Sequence, residues 1–362
     1  MSGNSFRNEG IDALRGVAVI LMVSQHLIAW LWIAPPLPAY ALAQDHPILM
    51  GLNALGYLSA PLFIVLAGAG ATMFFGRHGD KGAGTVLVWR GAYVLVLGYV
   101  LNLAVPGWFT PGSWYVLHLI GLCLLMAPAV AKLETRWLTG LAVGVLVAAV
   151  TAQSFFDTPR YLNNAHMTDA SSFAMILKLA VIEGHFPVLP WSALFLAGMV
   201  AARLTQSGKH KSLLLAATAI TAIGVCLSLT PYVFPLVRDN PLLVRITALS
   251  TYTFPLYPPA ACILSGLGAG AILVVTAWSK RRPSFPGLAL ANLGRASLTV
   301  FLLHIFLFRE VLGWVGGTNK LAARQTGLVL AGALVALGSL AWMWRDKNYR
   351  YGAEWLMRRV AP

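Results

Sequence analysis

The segment Ile11–His26, reading IDALRGVAVILMVSQH, sets Asp12, Arg15 and His26 into an otherwise apolar run. Such a run can pack with Leu, Val and Ala alone. An ionisable side chain at the bilayer centre costs roughly 2.5–3.5 kcal/mol on insertion scales, so each one present is a candidate functional position. His26 follows Arg15 by eleven residues. At about 1.5 Å per residue the two lie roughly 16 Å apart along a helix, about half the hydrocarbon thickness. A cation would then sit near one membrane face and a titratable base towards the other. An imidazole with a reference pKa of about 6.5 can accept a proton from a hydroxyl or amine at neutral pH and hand it on. The competing account is a snorkelling arginine and a histidine satisfied by a neighbouring helix.

The elements that must position these groups follow from composition. The chain has 362 residues, 58% hydrophobic and 10% charged, with mean hydropathy +0.72. Soluble domains carry about 25% charged residues, so an all-α, polytopic membrane helix bundle is expected. About ten transmembrane helices are predicted, near 11–32, 51–75, 85–105, 115–131, 137–156, 187–204, 212–230, 255–278, 290–308 and 322–344. They are read as a single integral membrane domain over 1–362. Ala41-Leu42-Ala43 has the look of a signal cleavage site, but Asp12 and Arg15 argue against a signal peptide, and the first span is expected to be retained.

A net charge of +14 would point to nucleic acid in a soluble protein. Here the basic residues collect in loops between apolar runs, so no nucleic-acid partner is expected. With a cytoplasmic N-terminus, 19 of the 26 Lys and Arg fall on one side and 7 on the other, with Arg7 and Lys280-Arg281-Arg282 among the larger set. The positive-inside rule then places both termini in the cytoplasm. Six of the eight histidines (26, 46, 118, 166, 185 and 304) fall in the outer half or on the outer face. His166 lies in the polar stretch TPRYLNNAHMTDASS and reads as plain surface. The connector from about 157 to 186 is long, which favours a lid or acceptor-binding element. Its later part, FAMILKLAVIEGHFP, could form a short interfacial or re-entrant helix.

No GxSxG elbow, HExxH, Walker loop or dinucleotide fingerprint occurs, and no metal site is expected. Cys123, Cys226 and Cys262 are isolated in apolar spans and read as packing residues. Gly68 and Gly70 could let helices approach closely or leave room for a ligand chain. The uncharged loop PGWFTPGSWY (106–115) fits an interfacial aromatic belt.

The opening IDALRGVAVILMVSQH resembles the transmembrane acyltransferase superfamily. Arg15-x10-His26 is similar to the arginine-x10-histidine signature of its acyltransferase-three O-acyltransferase branch, where that histidine is considered catalytic. His46-Pro-Ile-Leu-Met-Gly51-Leu52 has the spacing of the catalytic histidine in the heparan-α-glucosaminide N-acetyltransferase branch. SAPLFIVLAGAG (59–70), WYVLHLIGLCLL (114–125, with His118) and VLPWSALFLAGM (188–199) resemble further segments of that branch. LGRASLTVFLLH (293–304) resembles a segment of its bacterial members. YRYGAEWLMRR (349–359) resembles the tail of YeiB-like proteins, with alanine for proline. Features of three branches are thus mixed, with the bacterial heparan-type proteins the nearest.

The resemblance implies a bacterial inner-membrane enzyme that moves an acetyl or other acyl group from cytoplasmic acyl-CoA (acetyl-CoA as co-substrate). The acceptor would be the amine or hydroxyl of a sugar or glycan on the outer side. Coenzyme A carries several phosphate charges, so Arg15, Arg90 and Arg295, all near inner helix ends, are candidates to bind it; as single residues they read equally as positive-inside anchors. His46 ranks first as base and His26 second. Gln25 and Asn53 are the nearest groups in sequence that could orient such a ring. His304 and His118 would line the site and donate hydrogen bonds to carbonyl or acceptor. Direct transfer and an acyl-histidine intermediate both remain open. Membrane lipids are the surroundings, and a homodimer would be in keeping with the class. The alternative from another class is a multipass transporter or flippase, in which buried Arg and His serve passage of substrate or protons.

Overall fold

The computed structural model describes residues 8–249, 254–278 and 285–360. Arg7 and Lys280–Arg282 lie outside the described residues. The helices in chain order are α1 (Glu9–Leu31), α2 (Ala39–Asp45), α3 (Pro47–Gly56), α4 (Ser59–His78), α5 (Asp80–Ala104), α6 (Val116–Val130) and α7 (Thr135–Phe155). The outer connector holds two short helices, α8 (Asn164–Met167) and α9 (Phe173–Lys178), the second running into a π-helical turn, Leu179–Glu183. Then come α10 (Val188–Gln206), α11 (His210–Val233), α12 (Leu236–Asp239), α13 (Pro241–Thr247) and α14 (Pro258–Trp278). The chain closes with α15 (Phe285–Arg295), α16 (Ser297–Ile305), α17 (Leu312–Trp314), α18 (Ala323–Arg345) and α19 (Ala353–Val360). Among the described residues nine helical stretches are long and apolar enough to cross a membrane, and α6 is a shorter apolar helix. The protein is therefore an all-α, multi-pass membrane protein, as its composition dictates.

Not every expected span is a continuous helix: 51–75 is broken at Tyr57 and Leu58, between α3 and α4. The stretch 290–308 is interrupted at Ala296 (φ −101°, ψ 13°), and after Ile305 the helix widens into a π-helical segment, Phe306–Val311. Hydropathy averages over a window and does not register such a break.

The contacts divide the chain into two compact units. The first draws on the chain up to Phe63, Ala104–Trp108 and Val274–Arg359. Its centre is α1, whose Val19, Met22, Val23 and Leu27 are buried with Leu293, Ala296 and Val300 and with Leu330 and Ala341 of α18. Lipid tails are as apolar as leucine, so helix association here rests on close packing. Glycines supply it. A Cβ on Gly16 would lie 2.1 Å from the Leu290 carbonyl oxygen, and one on Gly294 would lie 1.8 Å from that of Asp12. The far end of α1 is pinned by backbone bonds: Asn319 N donates to Trp30 O (2.7 Å), and Leu321 O accepts from Ile33 N (2.9 Å). The tail contributes a cap. Glu354 Oε1 accepts from the Leu298 and Thr299 amides (2.6 and 3.2 Å), and Oε2 accepts from the Thr299 hydroxyl (2.5 Å). A carboxylate thus satisfies the free N–H groups at the start of α16, where the helix dipole favours negative charge.

The second unit comprises Ile64–Leu103 and Phe109–Leu273, with the residues from Val360. Gly68 is a helix-packing position, since a Cβ there would meet the Phe195 carbonyl of α10 at 2.0 Å. The long connector folds around a buried carboxylate, Glu183. Its oxygens accept from Thr158 Oγ1 (2.6 Å) and lie 3.0 Å from Lys178 Nζ and 2.6 Å from His166 Nε2. His166, read from sequence as plain surface, is half-buried and tied to that carboxylate. His185 stacks on Tyr115 (4.4 Å) and is buried. Burial would raise Glu183, but the hydrogen bonds from Thr158, His166 and Lys178 outweigh it and hold its carboxyl below the usual range. Burial pushes His185 down to about 3.

Two outcomes are expected. Gly294→Ala drives a Cβ into backbone on the facing helix, so thermal denaturation in detergent should show a loss of about 1–3 kcal/mol. Gly140→Ala inside α7, which meets nothing within 4 Å, should not lower stability. In the connector both shifted groups bind protons more readily when undocked, so docking is fullest above the ordinary histidine value and weakens as pH falls. His185 loses its contribution first, from its ordinary 6.5 down towards 3, and Glu183 follows below the ordinary carboxylate value of 4.5. Protection factors for hydrogen exchange across 157–186, each taken relative to the intrinsic rate at that pH, should therefore fall from pH 7 to pH 4. His185→Phe should flatten the upper part of that response and Glu183→Gln the lower.

Candidate active site

In the first unit His26 and His304 face each other. His26 Nδ1 and His304 Nε2 are 2.9 Å apart. The ring planes differ by 5° with centroids 5.2 Å apart, so the imidazoles lie side by side in one plane, joined edge to edge. His304 is 1% exposed, whereas His26 keeps part of its surface open. The other nitrogen of His304, Nδ1, is 3.0 Å from the Val300 carbonyl oxygen four residues back.

These contacts order the protons. A carbonyl oxygen only accepts, so His304 Nδ1 carries hydrogen and donates to Val300. In neutral His304 the Nε2 is then an acceptor, and His26 Nδ1 must donate to it. Neutral His26 is left with its lone pair on Nε2, the nitrogen outside this chain of bonds. The arrangement is a base with its tautomer fixed from behind, the role second partners play for ligating and catalytic imidazoles.

Aromatic rings wall the pair. Trp30, one helical turn beyond His26, stacks on its ring at 4.8 Å and 16°. Trp108 sets an edge against Trp30 (4.6 Å) and His26 (5.6 Å). The loop carrying Trp108 is held by the π-helical segment. Glu310 Oε2 accepts from Gly107 N (3.2 Å), Arg309 Nη2 donates to Gly107 O (3.1 Å), and the Arg309 guanidinium lies over the Trp108 ring (5.5 Å). Such π-helical insertions occur often at functional sites.

The other residues picked from sequence fall as follows. His46 sits between α2 and α3, half-buried, its ring edge-on to Trp32 at 5.3 Å, with no hydrogen bond to that ring among the described residues. Gln25 and Asn53 bond neither His26 nor His46 among the described residues; His304 orients His26 instead. Arg15 and Arg295 meet on one buried carboxylate. Asp12, 1% exposed, accepts from Arg15 Nη1 (3.2 Å) and Arg295 Nε (3.3 Å), and Glu9 lies 3.7 Å from Arg295 Nη2. Arg15 and Arg295 keep 28% and 20% of their side chains exposed. Arg90 and His118 belong to the second unit. Arg90 lies over the Phe74 ring at 4.5 Å. His118 Nδ1 accepts from the Tyr115 amide (3.0 Å) and so caps the start of α6. Among the described residues no three His, Cys, Asp and Glu side chains are grouped to hold a metal ion.

Sequence reasoning missed Trp30, Trp108, Arg309, Glu310 and the Val300 carbonyl. His26 and Trp30 at i and i+4 share a helix face, which is a usable signal. Nothing local marks Trp108, whose loop looks like an ordinary interfacial belt.

Comparison with family models matches residues 7–229 to the one described as heparan-alpha-glucosaminide N-acetyltransferase, catalytic, and residues 169–348 to the one described as OpgC protein. Comparison with curated proteins found no match. His26 falls within the first matched region and His304 within the second. The first match covers more than half of the chain, and the protein belongs to the heparan-alpha-glucosaminide N-acetyltransferase catalytic family of membrane acyltransferases.

Proposed function

We propose that the protein transfers an acyl group, acetyl in the simplest case, from acyl-CoA on the cytoplasmic side to a sugar hydroxyl or amine presented from the other side, with His26 as general base. The observation that carries this reading is the His26–His304 bond, because it leaves a lone pair on His26 Nε2. As the acceptor oxygen or neutral nitrogen attacks the thioester carbonyl, Nε2 takes its proton. The tetrahedral adduct then collapses, the carbon–sulfur bond breaks, and the same proton goes to the departing thiolate. His304 Nε2 accepts from the imidazolium throughout, and the face of Trp30 favours the transient positive charge. His304 is a positioning residue in this scheme.

His26 ranks above His46, for which no partner able to fix its tautomer is present among the described residues. Arg15 and Arg295 are the guanidinium groups assigned to the phosphates of coenzyme A, each partly exposed at the end of α1 that the basic loops assign to the cytoplasm. Arg90 is retained as a further cationic candidate. His118 is assigned the cap of α6.

The test uses purified protein in nanodiscs with radiolabelled acetyl-CoA and a panel of amino sugars and glycans, following thiol release and label transfer. His26→Ala should lower kcat by about 10²–10⁴-fold with acetyl-CoA binding retained. His304→Gln should lower kcat with little change in KM and move the pH at which kcat is half-maximal, which a purely structural loss would not do. His46→Ala should stay within a few-fold of wild type. Full turnover in His26→Ala would overturn the assignment of the base. A wild-type protein that neither binds acetyl-CoA nor releases thiol would overturn acyl transfer and bring transport assays forward.

A further inference from the structure

A cavity of about 330 Å³ opens in the second unit between the C-terminal ends of three helices. Thr72 and Gly76 of α4, Ala131 and Leu133 just after α6, and Arg203 and Gln206 of α10 line it. That volume is at the lower end of the range for small-molecule sites, roughly 300–1,000 Å³. Three features give it chemistry.

The first is Thr72. Helical threonines usually turn their hydroxyl onto the carbonyl four residues back. Thr139, Thr151, Thr205, Thr221 and Thr230 all do so. Thr72 is 6% exposed, and among the described residues its hydroxyl has no hydrogen-bond partner. A buried hydroxyl left unpaired costs about 1–3 kcal/mol, so one that lines a cavity is placed to meet something in it.

The second is Arg203. Its Nη2 donates to Ala131 O (2.6 Å) and its Nη1 to Leu133 O. A guanidinium has five N–H donors, so the remaining three are not accounted for by these two bonds. No carboxylate pairs with Arg203 among the described residues, and Glu134 in the adjoining loop is taken by Arg136 (2.9 Å). The third is Gln206, whose amide nitrogen lies across Gly76, 2.8 Å from where a Cβ would be. A side chain at position 76 would displace it.

We infer that this cavity binds a phosphate or pyrophosphate group, held by the Arg203 fork, the Thr72 hydroxyl and the Gln206 amide. Arg203 with N–H groups beyond its two carbonyl bonds, the Thr72 hydroxyl and the Gln206 amide line one cavity, and among the described residues no carboxylate pairs with Arg203; donors of this kind suit phosphate oxygens. The same chemistry serves a soluble phosphate ester or an anionic lipid headgroup. The site shares no residue with the His26–His304 pair, and the inference does not depend on acyl transfer.

The full chain in phosphatidylcholine nanodiscs would be titrated calorimetrically with inorganic pyrophosphate and with adenosine bisphosphate. A second arm adds phosphatidylglycerol and reads retained lipid by native mass spectrometry. Wild type should bind in at least one arm, and the arm identifies the source. Thr72→Val, close to isosteric, should bind about ten-fold more weakly. Arg203→Gln should abolish binding; because Arg203 also bonds the chain just after α6, Thr72→Val is the decisive variant should that protein not fold. Thr72→Val should keep wild-type binding of acetyl-CoA while its binding of pyrophosphate weakens, which separates this cavity from the proposed coenzyme A site. Absence of binding in both arms, or wild-type affinity in Thr72→Val, would overturn the inference.

Discussion

Within a bilayer no water is at hand for a stranded imidazole or carboxylate, so a buried one is costly unless another helix supplies its partner. α1 carries two such groups, Asp12 near one end and His26 towards the other. Both partners come from one short segment: Arg295 for Asp12 and His304 for His26. The glycine contacts of Gly16 and Gly294 with opposing carbonyls hold the helices close enough for that matching. A small lateral shift would part an ion pair and an imidazole pair together, so the spacing of backbones underlies the chemistry of the side chains.

The ring enclosure complements the imidazole pair. A neutral pair is the form most compatible with apolar surroundings, yet the proposed role as base would require His26 to become charged. Trp30 offers its face to His26, and His304 offers a lone pair behind it, so the charge meets an attractive surface and a hydrogen-bond acceptor where it forms. Trp108 is steadied by Glu310 and Arg309, which gives the π-helical irregularity a concrete role. It turns a carboxylate and a guanidinium towards one loop.

Much of this was legible in the residues alone. Long apolar runs announce their helices, and the family resemblance spread along the chain agrees with the family match. His26 stood out because a titratable group in an apolar helix is costly. Its partner did not, since 278 residues separate the two histidines and no local pattern encodes which helices meet. His46 stood first on spacing, which carries no information about what orients a ring; its ring lies edge-on to Trp32. Arg15 and Arg295 looked like separate anchors, and their sharing of Asp12 is a tertiary fact. The break at Ala296 was invisible for a different reason: alanine is an ordinary helix residue, and the interruption answers to packing around it.

The cap on α16 has a consequence for how the molecule is made. Glu354 follows Leu298 by 56 residues, so it leaves the ribosome well after the helix whose amides it satisfies. Until then the start of α16 has exposed donors and an uncompensated dipole, and His304 rides on a helix lacking one of its anchors. Completion of the histidine pair is thereby tied to the late arrival of the tail. A nascent chain halted before that point would hold the first histidine without a settled second, and chain synthesis itself would order the assembly of the site.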